Sequence, residues 1–276
     1  MLKLTSAEAL LERLSSLSPG SWLATDADGT IWATDVAELA WQAMMTERGI
    51  RPPGEAALRA ILAEVGQESR GDPHLDAQHL YDLYLQGEIG DGPILRAMAL
   101  CFAGWPEDEA RAFMAKVARE HVAPRIYETS AALYRGILAA GHRLLVVSGS
   151  PDFVVEESLR LLGLPEQVPV LGVRLAREGG VLQPEIVPPI TWNAGKVEAI
   201  QPHLAGAPLA AAFGDSGGDL ELLLAAELRV LVNPRPTLSR AADADPEGPW
   251  ITLAPERVVS GAATHAPTSD LVLGDE

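Results

Sequence analysis

The 276 residues suffice for one large domain or a core with an insertion, and a hydrophobic content of 47% against 21% charged residues excludes a chain disordered throughout. Asp and Glu number 38 against 21 Lys and Arg, a formal net charge of -17, which repels a polyanion and excludes broad contact with a nucleic-acid backbone. One cysteine, Cys101, excludes an intramolecular disulfide, and no run approaches the roughly 18 uninterrupted apolar residues of a membrane span. A small phosphate ester remains compatible with this charge where a metal ion or a well-placed lysine supplies a local cation. The expectation is a cytoplasmic protein with no nucleic-acid or membrane partner; the oligomeric state is left open.

Residues 6–17 read as an amphipathic helix rather than a signal peptide, with Leu10, Leu11, Leu14 and Leu17 at helical spacing. Pro19-Gly20 breaks it, and Trp22 to Ala27 reads as a short strand ending in Asp28-Gly29. Residues 35–48, 54–65, 75–86, 92–102 and 106–121 are predicted helices, with no strand-like run among them. Beyond residue 125 strands and helices alternate: helix 128–140, strand 142–148, helix 152–162, strand 167–173, and a hairpin over 173–187 around Gly179-Gly180. Helix 194–204, strand 208–213, helix 217–226 and strand 229–232 follow, and the tail from about 255 reads as loosely packed. This pattern predicts an α/β fold: a Rossmann-like parallel sheet flanked by helices, formed by residues 1–34 and 126–276, with an inserted all-helical domain over 35–125.

Four polar clusters fall at a predicted strand end or helix start, where open parallel sheets bind ligands. In Thr25-Asp26-Ala27-Asp28-Gly29-Thr30, residues two apart on an extended segment share a side, so Asp26 and Asp28 present two carboxylates together. One carboxylate can attack while the other moves a proton; taken alone, the hexapeptide reads equally as an Asp-Gly turn. A calcium loop fits worse, because Ile31 and Ala37 stand where the glycine and closing glutamate belong. Ser148-Gly149-Ser150 runs off the most apolar strand and offers a hydroxyl and backbone N–H groups to an anion, or an ordinary helix cap. Lys196, after Gly195 at a helix start, is either a solvated surface lysine or the partner of a nearby anion. Gly214-Asp215-Ser216-Gly217-Gly218-Asp219 delivers hard oxygen ligands that suit magnesium, or forms a capped loop.

Taken in order, DADGT at 26–30, SGS at 148–150, GK at 195–196 and GDSGGD at 214–219 resemble the motifs of haloacid dehalogenase superfamily phosphatases. More narrowly, the chain resembles their phosphoserine-phosphatase-like branch, and the 35–125 insertion looks like that branch's helical cap. The resemblance implies a magnesium-dependent phosphomonoester hydrolase acting on a small phosphorylated metabolite through an aspartyl-phosphate. Asp26 is then the nucleophile, and Asp28 protonates the leaving alcohol and later activates water. Ser148, Gly149 and Lys196 hold the phosphoryl group; Asp26, the Asp28 carbonyl and Asp215 bind Mg2+; Thr30 braces the first loop and Asp219 supports the metal site.

The sequence departs from the phosphoserine phosphatases in two places. Met98 stands where their carboxylate-binding cap arginine is expected, with Arg96 two residues off, and Gly218 replaces an asparagine of the last motif. Asp35 sits where an acidic residue meets the substrate amine, so these changes point to an amino-alcohol or similar phosphate. Trp32 is similar in placement to a tryptophan of phosphocholine phosphatases and either faces the entrance, where an aromatic ring would hold a cation, or packs with Trp41 under the cap. The competing readings are phosphoryl transfer to another alcohol, a dehalogenase and a non-catalytic metabolite sensor. The intact Asp28 and Gly-Asp-x-x-x-Asp argue against the dehalogenase, and the intact Asp26 and Asp28 against the sensor.

Overall fold

The computed structural model describes residues 3–164 and 168–253. The tail from about 255 lies outside them, as do residues 165–167, the last of which opens the predicted strand 167–173. In chain order the elements are β1 (Lys3–Thr5), α1 (Ala7–Ser15), β2 (Trp22–Thr25), α2 (Val36–Glu47), α3 (Pro52–Glu64), α4 (Pro73–Leu85), α5 (Asp91–Leu100) and α6 (Glu107–Val117). There follow α7 (Ser130–Ala139), β3 (Arg143–Pro151), α8 (Asp152–Leu159), β4 (Val170–Glu178), β5 (Val181–Val187), α9 (Ala194–Leu204) and β6 (Leu209–Gly214). The last are α10 (Leu220–Leu224), β7 (Arg229–Leu231), α11 (Pro236–Ala244) and β8 (Trp250–Leu253).

Eight strands form one sheet in the order β1-β8-β7-β6-β2-β3-β4-β5. Every pairing is parallel except the β4–β5 hairpin. The sheet is buried on both faces because successive residues feed two separate cores. Leu23, Leu144 and Val146 join the cluster that contains the helices between β2 and β3, while Ala24, Leu145 and Val147 pack on the other face with Leu204, Leu222 and Trp250. The α/β sheet flanked by helices is therefore the architecture expected from the alternating pattern.

Three elements escape the sequence reading. β1 has three residues and no period to detect; β8 has four and follows a proline. Helix α11 buries only Leu238 and Ala242, too thin a stripe to stand out. Three predicted helices also end differently. The one over 106–121 becomes a π turn at Ala118–Val122, the one over 152–162 closes as a 3-10 turn at Arg160–Leu162, and the one over 217–226 opens as a 3-10 turn at Gly217–Asp219. No helix among the described residues is long and apolar enough to cross a membrane.

The chain reverses its direction of sheet growth at β2, which pairs with β3 on one side and β6 on the other. Thr25 lies level with Val146 and Phe213. Residues 26–28, 148–150 and 215–219 therefore emerge together at the carboxyl end of the sheet, at the crevice such a switch point creates.

Candidate active site

Asp26 continues the ladder of β2, its N–H donating to the Phe213 carbonyl at 2.9 Å. The next turn needs Gly29. Its φ is +78°, and a Cβ there would lie 2.2 Å from Asp215 Oδ2. That turn returns Asp28 beneath the sheet end, where its carboxylate accepts four hydrogen bonds: Trp32 Nε1 at 2.8 Å and the Val36 N–H at 2.9 Å on Oδ1, and Ser148 Oγ at 3.2 Å and Ser150 Oγ at 2.6 Å on Oδ2.

Lys196 is 1% exposed and is no surface lysine. Its Nζ lies 2.6 Å from Asp26 Oδ1 and 2.6 Å from Asp219 Oδ1. These anions explain a lysine in the first turn of α9, where the helix dipole opposes positive charge. Asp219 Oδ2 in turn accepts from the Asp215 and Ser216 N–H groups and from Ser216 Oγ, at 3.1, 3.0 and 3.1 Å. Of the residues singled out from sequence, Asp26, Asp28, Asp35, Ser148, Gly149 and Asp215 line one narrow pocket of about 80 Å³, with Lys196 and Asp219 directly beneath.

Two expectations, on Thr30 and on the SGS segment, need correction, and two open points, on Trp32 and Arg96, are decided. Trp32 does not face the entrance: it is fully buried and holds Asp28 through its indole N–H. The Thr30 hydroxyl is buried and has no hydrogen-bond partner among the described residues, so no such bond braces the first loop there. Ser148–Ser150 do not open the helix, because β3 runs on to Pro151 and α8 starts at Asp152; the two hydroxyls reach Asp28 from an irregular strand end. Arg96 points away from the pocket and pairs with Glu64 at 2.8 and 2.7 Å, while Met98 lines the wall. Asp35 does line the pocket, and it also caps α2 by accepting from the Glu38 N–H at 2.9 Å.

The sequence reading missed Trp192, Glu38, Tyr84, Asp91 and Arg235 and gave no separate role to Ser150 of the SGS motif, and all six line the pocket. Arg235 follows β7 and binds Asp215 twice, through its N–H to the carbonyl at 2.7 Å and through Nε to Oδ2 at 3.0 Å. The strand-end rule applied to β7 would have found it. Trp192 explains the departure at Gly218, because a Cβ at 218 would lie 2.4 Å from its ring. Gly218→Asn is therefore expected to cost about 1–3 kcal/mol by overpacking. In urea unfolding, adding Trp192→Ala should recover part of that loss, and strictly additive costs would remove the coupling.

Burial is the first cause of every raised carboxyl here. It pushes Asp26 up to about 7, helped by the Asp219 charge and opposed by Lys196. It pushes Asp28 up to about 6, helped by Asp35, and lifts Asp215 well above the usual range, helped by Asp219 and Asp26. Burial alone would lower Lys196, but the charges of Asp219 and Asp26 outweigh it and hold the amine protonated. Asp35 rises to about 7 through burial and the Glu38 charge. A carboxyl raised on folding adds stability below its unfolded value and loses it as pH rises through the folded one. The Asp35 window is thus about 4 to 7. Asp35→Asn, which keeps the cap, should flatten the fall of stability between pH 5 and 8 by on the order of 1 kcal/mol. An unchanged slope in thermal melts would refute this.

The donor set suits a hard divalent cation. Ligand oxygens of Asp26, Asp215 and Asp219 lie within 4.8 Å of one another. Asp219 is consumed by Lys196 and three hydrogen bonds, but Asp26 Oδ2 and Asp215 Oδ1 have no donor among the described residues. Two free carboxylate oxygens beside Asp28 fit magnesium.

A family model described as haloacid dehalogenase-like hydrolase matches residues 23–224, which contain all four motifs. The chain belongs to that family. Among solved structures, this haloacid dehalogenase-like hydrolase is similar to a protein of unknown function from Bordetella pertussis Tohama I, with a TM-score of 0.64 and 22% identity over 86% of this chain and 99% of that one. It is similar to a HAD family hydrolase from Salmonella enterica serovar Typhi, with a TM-score of 0.56 and 15% identity over 89% and 70%. A substrate-bound phosphoserine phosphatase complex matches with a TM-score of 0.52 and 15% identity over 86% and 94%. The fold is thus the one that phosphoserine phosphatases share.

Proposed function

We propose that this hydrolase cleaves small phosphomonoesters with Mg2+, through an aspartyl-phosphate on Asp26. The observation that carries the reading is the buried Asp26–Lys196–Asp219 chain beside the four-fold held Asp28. Lys196 favours the ionised form of Asp26 against a burial that favours the neutral one. A carboxylate oxygen of Asp26 attacks phosphorus and the bond to the leaving alcohol breaks. Asp28, whose raised proton affinity suits an acid at neutral pH, gives the departing oxygen a proton. The same carboxylate then takes a proton from the water that attacks the aspartyl-phosphate, releasing phosphate and restoring both groups. Ser148 Oγ and the backbone at Gly149 lie on the wall where phosphoryl oxygens come to rest. Asp26 and Asp215, with the Asp28 carbonyl, would hold Mg2+, which would supply positive charge against the phosphoryl oxygens.

The helices of residues 35–125 serve as a cap over the strand ends. Met98, Tyr84 and Asp91 reach the pocket from that unit, while the loop ahead of α6 is tied to the hairpin by Gly104 N–H to Leu182 O at 2.7 Å and Glu107 N–H to Gly180 O at 2.8 Å. Water exclusion during attack follows from such a cover. Asp35, Glu38 and Asp91 surround the leaving-group side with acidic oxygens and favour an alcohol that carries an amine. The test is phosphate release from a panel of amino-alcohol, amino-acid and sugar phosphates. Activity is expected only with millimolar magnesium and should disappear with a chelator. Folded protein that releases no phosphate from any ester with magnesium would overturn the hydrolase reading.

A further inference from the structure

The two carboxylate oxygens of Asp28 keep different company. Oδ1 accepts from the Trp32 indole N–H at 2.8 Å and from the Val36 N–H at 2.9 Å. An indole N–H and a backbone N–H only donate, and Trp32 is fully buried. A proton on Oδ1 would face two N–H groups, so the acid form of Asp28 carries its proton on Oδ2. Among the described residues Oδ2 meets only hydroxyls, Ser150 Oγ at 2.6 Å and Ser148 Oγ at 3.2 Å. A hydroxyl donates to a carboxylate and, after a turn about its C–O bond, accepts from a carboxylic acid. The two serines are not equivalent. Ser148 Oγ already accepts from the Ser150 N–H at 3.0 Å. Ser150 Oγ lies closer to Oδ2 and has no other partner among the described residues, and Ser150 lines the pocket. When Oδ2 donates to Ser150 Oγ, the serine proton is released from Asp28 and left to a group in the pocket.

We propose that Ser150 is a further catalytic residue, a relay that carries the Asp28 proton to the leaving oxygen and carries a proton back from water. The proposal rests on the phosphomonoesterase reading and adds to it the route of the proton. As the bond from phosphorus to the leaving oxygen breaks, the Ser150 O–H bond breaks and its proton joins that oxygen. Ser150 Oγ takes the proton of Asp28 Oδ2 in the same step, leaving a carboxylate and a neutral serine. Hydrolysis of the aspartyl-phosphate runs the relay in reverse: the attacking water gives a proton to Ser150 Oγ, and the serine proton passes to Oδ2. Phosphate leaves, and Asp26 is restored as a carboxylate. The indole and the Val36 N–H hold Oδ1 throughout and keep Oδ2 aimed at the serine.

Two leaving groups test the relay. p-Nitrophenolate departs without a proton, whereas an alkoxide needs one. The ratio kcat/KM covers the chain of events up to departure of the alcohol. For O-phosphoethanolamine, or the alkyl ester of the panel cleaved fastest, Ser150→Ala should lower kcat/KM about 100-fold or more, the worth of a positioned acid. For p-nitrophenyl phosphate the loss should stay below about tenfold, which also shows that the variant is folded. Ser150→Thr keeps a hydroxyl and should recover most of the alkyl-ester rate. A measurement on the wild type needs no variant: in mixtures of light and heavy water, kcat/KM for the alkyl ester should bow below a straight line, because two protons move together. A straight line, or equal losses on both esters in Ser150→Ala, would overturn the relay and leave the phosphatase reading standing. Wild type that releases phosphate from neither ester would remove both.

Discussion

Asp26→Asn lowers kcat by at least about three orders of magnitude and leaves the fold in place. The amide has the volume of the carboxylate, and its carbonyl still accepts from Lys196 Nζ, which lies 2.6 Å from Asp26 Oδ1. The surrounding frame is backbone and hydroxyl: Thr25 Oγ1 donates to the Asp26 carbonyl at 2.7 Å and meets Tyr134 Oη at 2.8 Å. Lys196 keeps Asp219 as its ionic partner, so the stability change should stay within about 2 kcal/mol. The amide has no charge with which to attack phosphorus, so no phosphoprotein should accumulate after acid quench. KM should move only a few-fold, since Ser148 and Gly149 on the pocket wall are untouched. Residual activity of about a tenth or more, measured on purified protein free of contaminating phosphatase, would assign the nucleophile elsewhere.

Lys196→Met produces the largest loss of stability, about 3–5 kcal/mol at neutral pH without metal. Methionine fills the same space, so the cost is electrostatic rather than a cavity. Lys196 is 1% exposed, and its amine is the shared cation of Asp26 and Asp219. Without it, two carboxylates with ligand oxygens within 4.8 Å of each other and of Asp215 face one another away from water. Their proton affinities rise further, so the variant is relatively stable in acid and loses stability as pH climbs through neutrality. Magnesium should restore part of the loss by supplying the missing positive charge. Urea unfolding at pH 5 and pH 8, with and without magnesium, reads all three effects. A cost under about 1 kcal/mol at pH 8 would mean that Lys196 is not the charge that holds the cluster.

Both predictions concern residues named from sequence, whereas Arg235 and Trp192 were not, and the difference has a physical origin. Asp26 and Asp215 stand directly after strands whose apolar runs are readable, Ser148 lies among the last residues of another, and a strand end has a fixed relation to the sheet. Lys196 was readable as an anomaly, a cation in a helix's first turn, although the sequence held no sign that its counter-charges are Asp26 and Asp219. Trp32 shows the limit of the same reasoning. Its spacing from Asp28 was noticed, but one indole can face a pocket or support a carboxylate, and only packing chose the second.

The sequence by itself determined the α/β alternation, the run of helices after β2, the four ordered motifs and the family they belong to, because hydrophobic period and strand-end chemistry are local properties of the chain. Tertiary structure alone decided which groups meet. It brought Trp192 against Gly218 across 26 residues, turned Arg96 outward to Glu64, and carried Arg235 from the loop after β7 to Asp215. Such contacts depend on how loops close over the end of a twisted sheet, and side chains brought together in that way leave no periodic trace along the chain.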